Sequence, residues 1–304
     1  MIKATVHTLP ALLLALGCGT VPAQDIEPRR WTPLPIGTTV VGIGYGHTAG
    51  DISVDPLLNI EEGEVEARSR VLSVVHGFSA FGKTARVDVR LPWRQTRWKG
   101  LLDGVQRAVA RRGPGDPRVR LSVNLLGPPA MDAKSLRAYQ AAHRAYTIAG
   151  AALAVTLPLG EYQRDKLLNL GENRFTFRPQ VGVVHRHGPW SVELTGSAFL
   201  FTDNTEFRGR TRSQEPLFGL QGHLVYTGKR GWWLSTGAAH AWGGESSVDG
   251  IRKDDAKRDL LFGVSTGLPL TRRISAKIGY VGSRKGTDIG SDTDSLAAGF
   301  SFRF

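Results

Sequence analysis

The stretch SLAAGFSFRF, Ser295–Phe304, places apolar side chains at every second position up to its last residue. Leu296, Ala298, Phe300, Phe302 and Phe304 share one face, and the residues between them are small or polar. A period of two is the period of a β-strand. The stretch therefore predicts a strand that is part of a sheet through to Phe304, and the next question is which strands it pairs with.

About twelve segments along the chain have the same character. Clear examples are TARVDVRLPWR (84–94), PRVRLSVNLLG (117–127) and WSVELTGSAFLFT (190–202), in which apolar residues alternate with charged or hydroxyl-bearing ones. The connections between segments also alternate. Short ones such as AFGK (80–83) and HGP (187–189) separate long polar ones, which is the pattern of an up-and-down barrel with two unlike ends.

These features predict an all-β fold: a transmembrane, antiparallel, up-and-down β-barrel of about 12 strands, of the bacterial outer-membrane type, over residues 36–304. The expected location is the outer membrane. Because an unpaired strand edge in lipid leaves backbone groups unsatisfied, the last strand is expected to pair with the first. One connection that should be short, residues 127–144, is long, and a helix is expected there over Asp132–Ala142.

The alternative is a soluble β-sandwich or a lipocalin-like barrel with its apolar face turned inward. The apolar faces of all the segments together would then need a core larger than an eight-stranded barrel encloses. This argument favours the membrane barrel.

The start of the chain has the composition of a secretory signal peptide. Lys3 precedes a short apolar run, and small residues lead to Ala23, so residues 1–23 are predicted to be removed and residues 24–35 to form a periplasmic N-terminal segment. Lipid attachment at Cys18 is the alternative. Because Cys18 is the single cysteine, the mature chain is expected to lack disulfides and thiolate metal sites.

The chain is basic, with a formal net charge of +12. A basic balance raises the possibility of nucleic-acid binding. The basic residues recur at alternate strand positions rather than forming one arm or stripe, and we therefore expect no nucleic-acid partner.

Several ordered stretches carry a family resemblance. They are GPGDPRVRLSVNLLGPPAM (113–131), LAVTLPLGEYQRDKLLNLGENRFTFRPQVGV (153–183), SQEPLFGLQGHLVY (213–226) and GWWLSTGAAHAWGGESSVDG (231–250). Together they resemble the outer-membrane transporter family named for the MetA pathway of phenol degradation, over Ile36–Phe304. The resemblance implies a β-barrel and the uptake of hydrophobic or aromatic compounds.

The candidate site residues are the polar side chains predicted to face the lumen. They are Arg86, Asp88, Arg90, Arg118, Arg120, Arg174, Arg178, Glu193, Gln221, His223 and Lys277. One interpretation is structural, because charges in a lumen must be paired or hydrated. The other is functional, because a positive lining favours anionic solutes. The sequence leaves both open.

Other polar clusters have weak signals. His185 and His187 share a strand face but lack a third ligand, and the carboxylate and amide oxygens of Asp116, Asp203 and Asn204 suit either calcium or turn capping. We predict no metal site, no cofactor and no catalytic residues.

Two further stretches invite an interpretation. GIGYG (42–46) has no strand-to-helix context for a nucleotide, so its glycines are expected to admit a bulky lumen neighbour. RWKGLLDGVQRAVARR (97–112) has apolar residues at helical spacing, and a loop folded into the pore or lying on lipopolysaccharide would suit it.

The predicted function is an outer-membrane channel for small hydrophobic or aromatic compounds, including anionic ones. The alternatives are a lipid-modifying enzyme, for which no serine, histidine and acidic residue converge in the sequence, and a structural barrel without transport. The expected partners are outer-membrane lipid, lipopolysaccharide, a small-molecule solute and, through the strand ending at Phe304, the barrel-assembly machinery.

Overall fold

Strands make up most of the computed structural model, which describes residues 26–53, 60–102 and 104–304. The strands are β1 (Thr39–Ser53), β2 (Ile60–Ala80), β3 (Lys83–Leu102), β4 (Val105–Pro114), β5 (Arg118–Leu126), β6 (Ala145–Thr156), β7 (Thr176–His187), β8 (Trp190–Phe201), β9 (Asn204–Phe207), β10 (Arg210–Gln214), β11 (Leu217–Thr227), β12 (Trp233–Gly243), β13 (Ser246–Val248), β14 (Ile251–Arg252), β15 (Lys257–Pro269), β16 (Ile274–Arg284) and β17 (Gly290–Arg303). Helix α1 spans Ala133–Ala142.

The main sheet closes on itself. Its neighbours follow chain order from β1 to β8, continue through β11, β12, β15, β16 and β17, and return to β1. The closing pair runs antiparallel from Val40 opposite Arg303 to Ser53 opposite Gly290. Phe304 donates its backbone N–H to the Thr39 carbonyl at 2.8 Å, so pairing continues to the last residue, as the sequence predicted.

The barrel has twelve strand positions. The sheet holds 13 strands, but β4 and β5 lie end to end against different halves of β3 and together fill one position. The expectation of about 12 strands is confirmed.

Residues 97–112 correct an expectation. Residues 97–102 and 105–112 lie in the two paired strands of a β-hairpin, in which Trp98 lies opposite Val109, and not in a helix. The alternation of β3 simply continues beyond the barrel wall, and Gly104, with a φ of +72°, permits the tight turn that starts β4.

The two faces of the barrel wall have opposite polarity. Val181 and Phe300 point outward with exposed fractions of 65% and 50%, whereas the inward Arg120 and Glu193 are each only 3% exposed. This arrangement is the reverse of a soluble sandwich or a lipocalin, and it confirms the orientation predicted from the alternation.

The two ends of the barrel differ as predicted. At the end that holds Thr39 and Phe304, the turns between strand pairs are short, and α1 packs into the one long connection. Asp132 caps α1 by accepting the Ser135 N–H at 2.7 Å, so the predicted helix is confirmed. At the other end, β9, β10, β13 and β14 form a second small sheet. No described helix is long and apolar enough to cross a membrane.

A charge on the outward face of the closing strand tests this orientation. We expect Phe300→Arg to lower the free energy of unfolding in phospholipid vesicles by about 2–4 kcal/mol, the cost of an arginine near the bilayer midplane. Ser301→Asn, one residue further on the inward face, is the control and should change the free energy little. If Phe300→Arg is tolerated as well as the control, the outward face does not meet lipid.

Candidate functional site in the barrel lumen

The N-terminal segment, Ile26–Thr38, lies partly inside the barrel. It is held at the rim, where Ile36 donates its N–H to the Met131 carbonyl at 2.9 Å and Gly37 to that of Gly77 at 2.8 Å. From there it runs into the lumen, where Trp31 is only 1% exposed. The expectation of a periplasmic segment over residues 24–35 is therefore wrong from Ile26 onward, because the lumen offers this stretch an apolar socket. Residues 24 and 25, and the predicted signal peptide, lie outside the described residues.

Trp31 is the anchor of the segment. Its ring packs against the inward Ile148 of β6 and Val184 of β7. The indole N–H donates to Thr195 Oγ1 at 2.8 Å, and its backbone carbonyl accepts from Asn124 Nδ2 at 3.2 Å. A buried tryptophan with its polar atom satisfied is a strong packing contact.

Two glycines make room for that ring. A Cβ on Gly182 would lie 2.0 Å from Trp31 Nε1, and one on Gly150 would lie 2.7 Å from Trp31 Cε3. Neither distance is possible for real atoms, so the absence of side chains on adjacent strands creates the flat floor of the socket.

The charges of the segment pair with the lumen wall. Glu27 accepts from Arg90 Nη2 at 2.5 Å and lies 3.5 Å from Arg30 Nη2. Arg30 also donates to Gln180 Oε1 at 2.9 Å. On β8, Glu193 accepts the backbone N–H of Arg29 at 2.7 Å. Without the segment, Arg90 and Glu193 would lose these partners, and buried charges are costly when unpaired.

A second cluster lies entirely on the wall. Asp88 lies 3.0 Å from Arg120 Nη2 and 3.3 Å from Arg86 Nε. One carboxylate thus serves two guanidinium groups on neighbouring strands, because β3 and β5 place Asp88 opposite Arg120. These three residues match the structural interpretation of the lumen charges.

Two other predicted arginines pack on aromatic rings. Arg174 and Arg178 each hold the guanidinium carbon 4.3 Å from a ring centroid, of Phe201 and Phe199 respectively. Arg118, on β5, is half-buried at a position opposite Arg90 of β3. The predicted residues therefore lie on the inner face, but most of them belong to the wall that contacts the N-terminal segment.

The wall across the barrel from Trp31 is open. A cavity of about 510 Å³ lies between the N-terminal segment and strands β1, β15, β16 and β17. Its lining includes small residues: Gly42, Gly44, Gly46, Ser265, Gly279, Ala297, Gly299 and Ser301. The expectation that GIGYG admits a bulky neighbour is wrong for Gly44 and Gly46, since a Cβ there would meet no atom within 3.6 Å, and at Gly42 the close neighbour is the small Ser73 hydroxyl, 2.6 Å from such a Cβ. Gly44 and Gly46 border open space instead.

A second cavity, of about 760 Å³, opens at the end of the barrel that carries the short turns. Lys277 and Ser301 line both cavities. The two spaces therefore lie next to each other, with these two side chains in both linings.

Polar atoms along the first cavity, of about 510 Å³, which we call the upper cavity, are available for hydrogen bonds. His223 and Ser235 line it and are 6% and 2% exposed. Within the described residues, His223 Nε2 and Ser235 Oγ have no hydrogen-bond partner, and neither does Gln221 Nε2 nearby on β11. Buried polar atoms of this kind bind water or a ligand.

The long loops at the far end are tied together by polar contacts. Asp116 accepts the backbone N–H groups of Gly160 at 2.8 Å and Glu172 at 2.7 Å. Asn204 donates to the Tyr162 hydroxyl at 2.8 Å. Asp116 thus joins its own loop to a loop 44 to 56 residues further along the chain rather than capping its own turn. The described residues hold no group of three His, Cys, Asp or Glu side chains that could bind a metal ion.

Burial and charge act on these loop carboxyls in different ways. Burial raises the pKa of Asp116, although two backbone N–H groups oppose the shift. Burial would also raise the pKa of Glu172, but the guanidinium groups of Arg174, Arg212 and Arg94 outweigh it and hold the pKa below its usual value. Glu172 therefore stays ionised in its ion pair with Arg174, 2.9 Å away.

Sequence reasoning missed the residues of the N-terminal segment, above all Glu27 and Trp31. The stretch EPRRWTPLPIG (27–37) has no strand or helix period. The sequence held only an indirect signal for a segment inside the lumen: Gly150 and Gly182 lie at inward positions of strands whose other inward residues are larger.

The residues that form the barrel match a known protein family. A model of the family described as "Putative MetA-pathway of phenol degradation" matches residues 47–304. No curated protein matches the chain.

Solved structures share the fold. The COG4313 outer membrane channel from Pseudomonas putida F1 is 24% identical, with 92% of this chain and 100% of that chain covered and a TM-score of 0.75. The transport unit of the autotransporter AIDA-I from Escherichia coli is 12% identical, with 92% and 93% covered and a TM-score of 0.54. At these identities the likeness concerns the fold alone.

Displacing Trp31 tests whether the N-terminal segment restricts the lumen. We expect Gly182→Val to expel the indole ring, because its side chain would occupy the same space, and to raise the conductance in planar bilayers. Trp31→Ala should do the same, and Gly222→Ala, whose Cβ would have its nearest atom at 3.7 Å, is the control. Unchanged conductance in both test variants would show that the segment is no barrier.

Removing one carboxylate tests the structural interpretation of the wall charges. Asp88→Asn leaves Arg86 and Arg120 without their anion, and we expect a loss of about 3–5 kcal/mol in the free energy of unfolding, measured by denaturant titration in vesicles. The control is Glu66→Gln, which breaks an exposed pair with Arg68 at 2.9 Å and should cost at most about 1 kcal/mol. Equal effects at both sites would contradict the assignment.

Proposed function

The chain belongs to the family described as "Putative MetA-pathway of phenol degradation", and from this membership and the geometry of its lumen we propose that it is an outer-membrane channel for small hydrophobic or aromatic compounds. The observation that carries the proposal is the pair of neighbouring cavities that share Lys277 and Ser301 in their linings. One lies in the interior of the closed barrel and the other opens at one of its mouths.

The size and lining of the upper cavity fit a small solute. Its volume of about 510 Å³ lies within the range of small-molecule sites, about 300–1,000 Å³. Glycine, alanine and serine line one side, and His223 and Ser235 present hydrogen-bonding atoms. A flat ring that carries one polar substituent matches this combination.

The N-terminal segment makes the path selective. Twelve-stranded barrels are narrower than the 16–18-stranded porins that hold an open aqueous channel, and here Trp31 and its neighbours fill one side of the lumen. The channel is therefore a restricted path rather than a general pore. The family name supports aromatic compounds as the cargo.

The outer face supports an outer-membrane location. Exposed apolar side chains such as Val181, Leu296 and Phe300 cover it, and they suit acyl chains. Above them the hairpin of β3 and β4 carries basic residues that suit the phosphates of lipopolysaccharide. The strand ending at Phe304 is the proposed contact with the barrel-assembly machinery.

Liposome swelling tests the transport proposal directly. Vesicles that contain the purified mature chain should swell with phenol-sized neutral aromatic solutes faster than with disaccharides. An esterase and lipase assay on the same sample distinguishes the enzyme alternative. Hydrolysis without swelling would support the lipid-modifying enzyme, and neither activity would support a structural barrel.

A further inference from the structure

The cavity at the mouth carries charge of one sign. Its lining includes six cationic residues and, among the residues the structure describes, no Asp or Glu. The cations are Arg29, Arg137, Arg230, Arg272, Lys277 and Arg303. They come from five separate parts of the chain, so the cluster is a product of the fold. Cations converging on one concave space create a potential that attracts anions.

These cations differ from those deeper in the lumen. Arg90 and Arg120 are paired with Glu27 and Asp88. In the part of the chain that the structure describes, no carboxylate forms a salt bridge with Lys277 or Arg303, and none forms one with the turn residue Arg230. A cation that has no carboxylate partner is available to an anionic solute.

An aromatic side chain lies among the cations. The ring of Trp233, at the start of β12, has the Arg29 guanidinium carbon 5.4 Å from its centroid and Lys277 Nζ 5.8 Å from it. Gly267 fixes this position, since a Cβ there would lie 2.2 Å from the indole Nε1. The indole thus packs on the β15 backbone and is only partly buried, with the two cations held beside it.

We propose that Trp233, Lys277 and Arg29 form a binding site for an aromatic carboxylate at the periplasmic mouth. The indole supplies an apolar surface for a planar ring, and the ammonium and guanidinium groups supply charge-assisted hydrogen bonds to a carboxylate. The cavity of about 760 Å³ has room for such a molecule.

The site deepens the proposed function and rests on it, because Lys277 also lines the upper cavity. A solute that moves along the small-residue wall reaches Lys277 before it leaves the barrel. The site is then the last binding site on the proposed path, and it favours those aromatic compounds that carry a negative charge.

Calorimetric titration of the purified full-length mature chain in detergent tests the site, with benzoate, phenol and acetate as probes. Benzoate should bind more tightly than either of the others, because only benzoate offers both the ring and the charge. Lys277→Gln should weaken benzoate binding about tenfold, which corresponds to about 1.4 kcal/mol, and Lys277→Arg should restore most of it. Trp233→Leu should weaken benzoate and leave acetate unchanged.

Lys134→Gln is the matched control, because it removes the same charge from the exposed face of α1, outside the cavity lining. Equal benzoate affinity in Lys277→Gln and Lys134→Gln would overturn the site, and so would acetate binding as tightly as benzoate. If vesicles that contain the chain swell with neutral aromatic solutes but the chain does not bind benzoate, only this inference is overturned. Benzoate binding by a barrel that fails to swell vesicles would support the site and overturn the transport proposal.

Discussion

The pairing of β17 with β1 is the constraint on which the rest of the structure depends. Backbone N–H and C=O groups have no water to bond with in a hydrocarbon layer, so a spanning sheet must leave no edge. Strands β1 and β17 meet this requirement through a continuous register from Val40 opposite Arg303 to Ser53 opposite Gly290. Once the sheet is closed, each strand has one face outside and one inside, and the period of two in the sequence becomes a difference between lipid and lumen.

Closure in turn creates the problem of an interior crowded with cations. Asp88 neutralises part of the charge by serving Arg86 and Arg120. The N-terminal segment supplies Glu27 for Arg90 and fills the space beside β6–β8 with Trp31. We interpret the segment as a component of the lumen, because its removal would expose an apolar socket, separate the partly buried ion pair of Glu27 and Arg90, and take from the buried Glu193 the backbone N–H of Arg29. The same contacts that stabilise the barrel therefore narrow its path.

The sequence predicted what depends on local periodicity. The strands, their inward and outward faces and helix α1 follow from patterns within a few residues of each other, and the closure through the strand that ends at Phe304 follows from the requirement that a spanning sheet leave no edge. The N-terminal segment does not, because its contacts join Trp31 to Thr195 and Arg29 to Glu193 across more than 160 residues. The helical interpretation of residues 97–112 was wrong for a related reason. Their apolar residues stand at helical spacing, but pairing between β3 and β4 outweighs that spacing, and a local sequence pattern does not show which strand will pair with it.

Glycine has two opposite effects inside this barrel, and the difference explains the position of the path. On one wall, the indole of Trp31 fills the space that side chains at Gly150 and Gly182 would otherwise occupy. Gly44 and Gly46 on the opposite wall face open space. A glycine at an inward position therefore predicts either a socket or a passage, and only the course of the N-terminal segment decides which. Since that segment occupies the side of β6–β8, the route that we propose for a solute lies along β1 and β15–β17 and ends at the cations around Trp233.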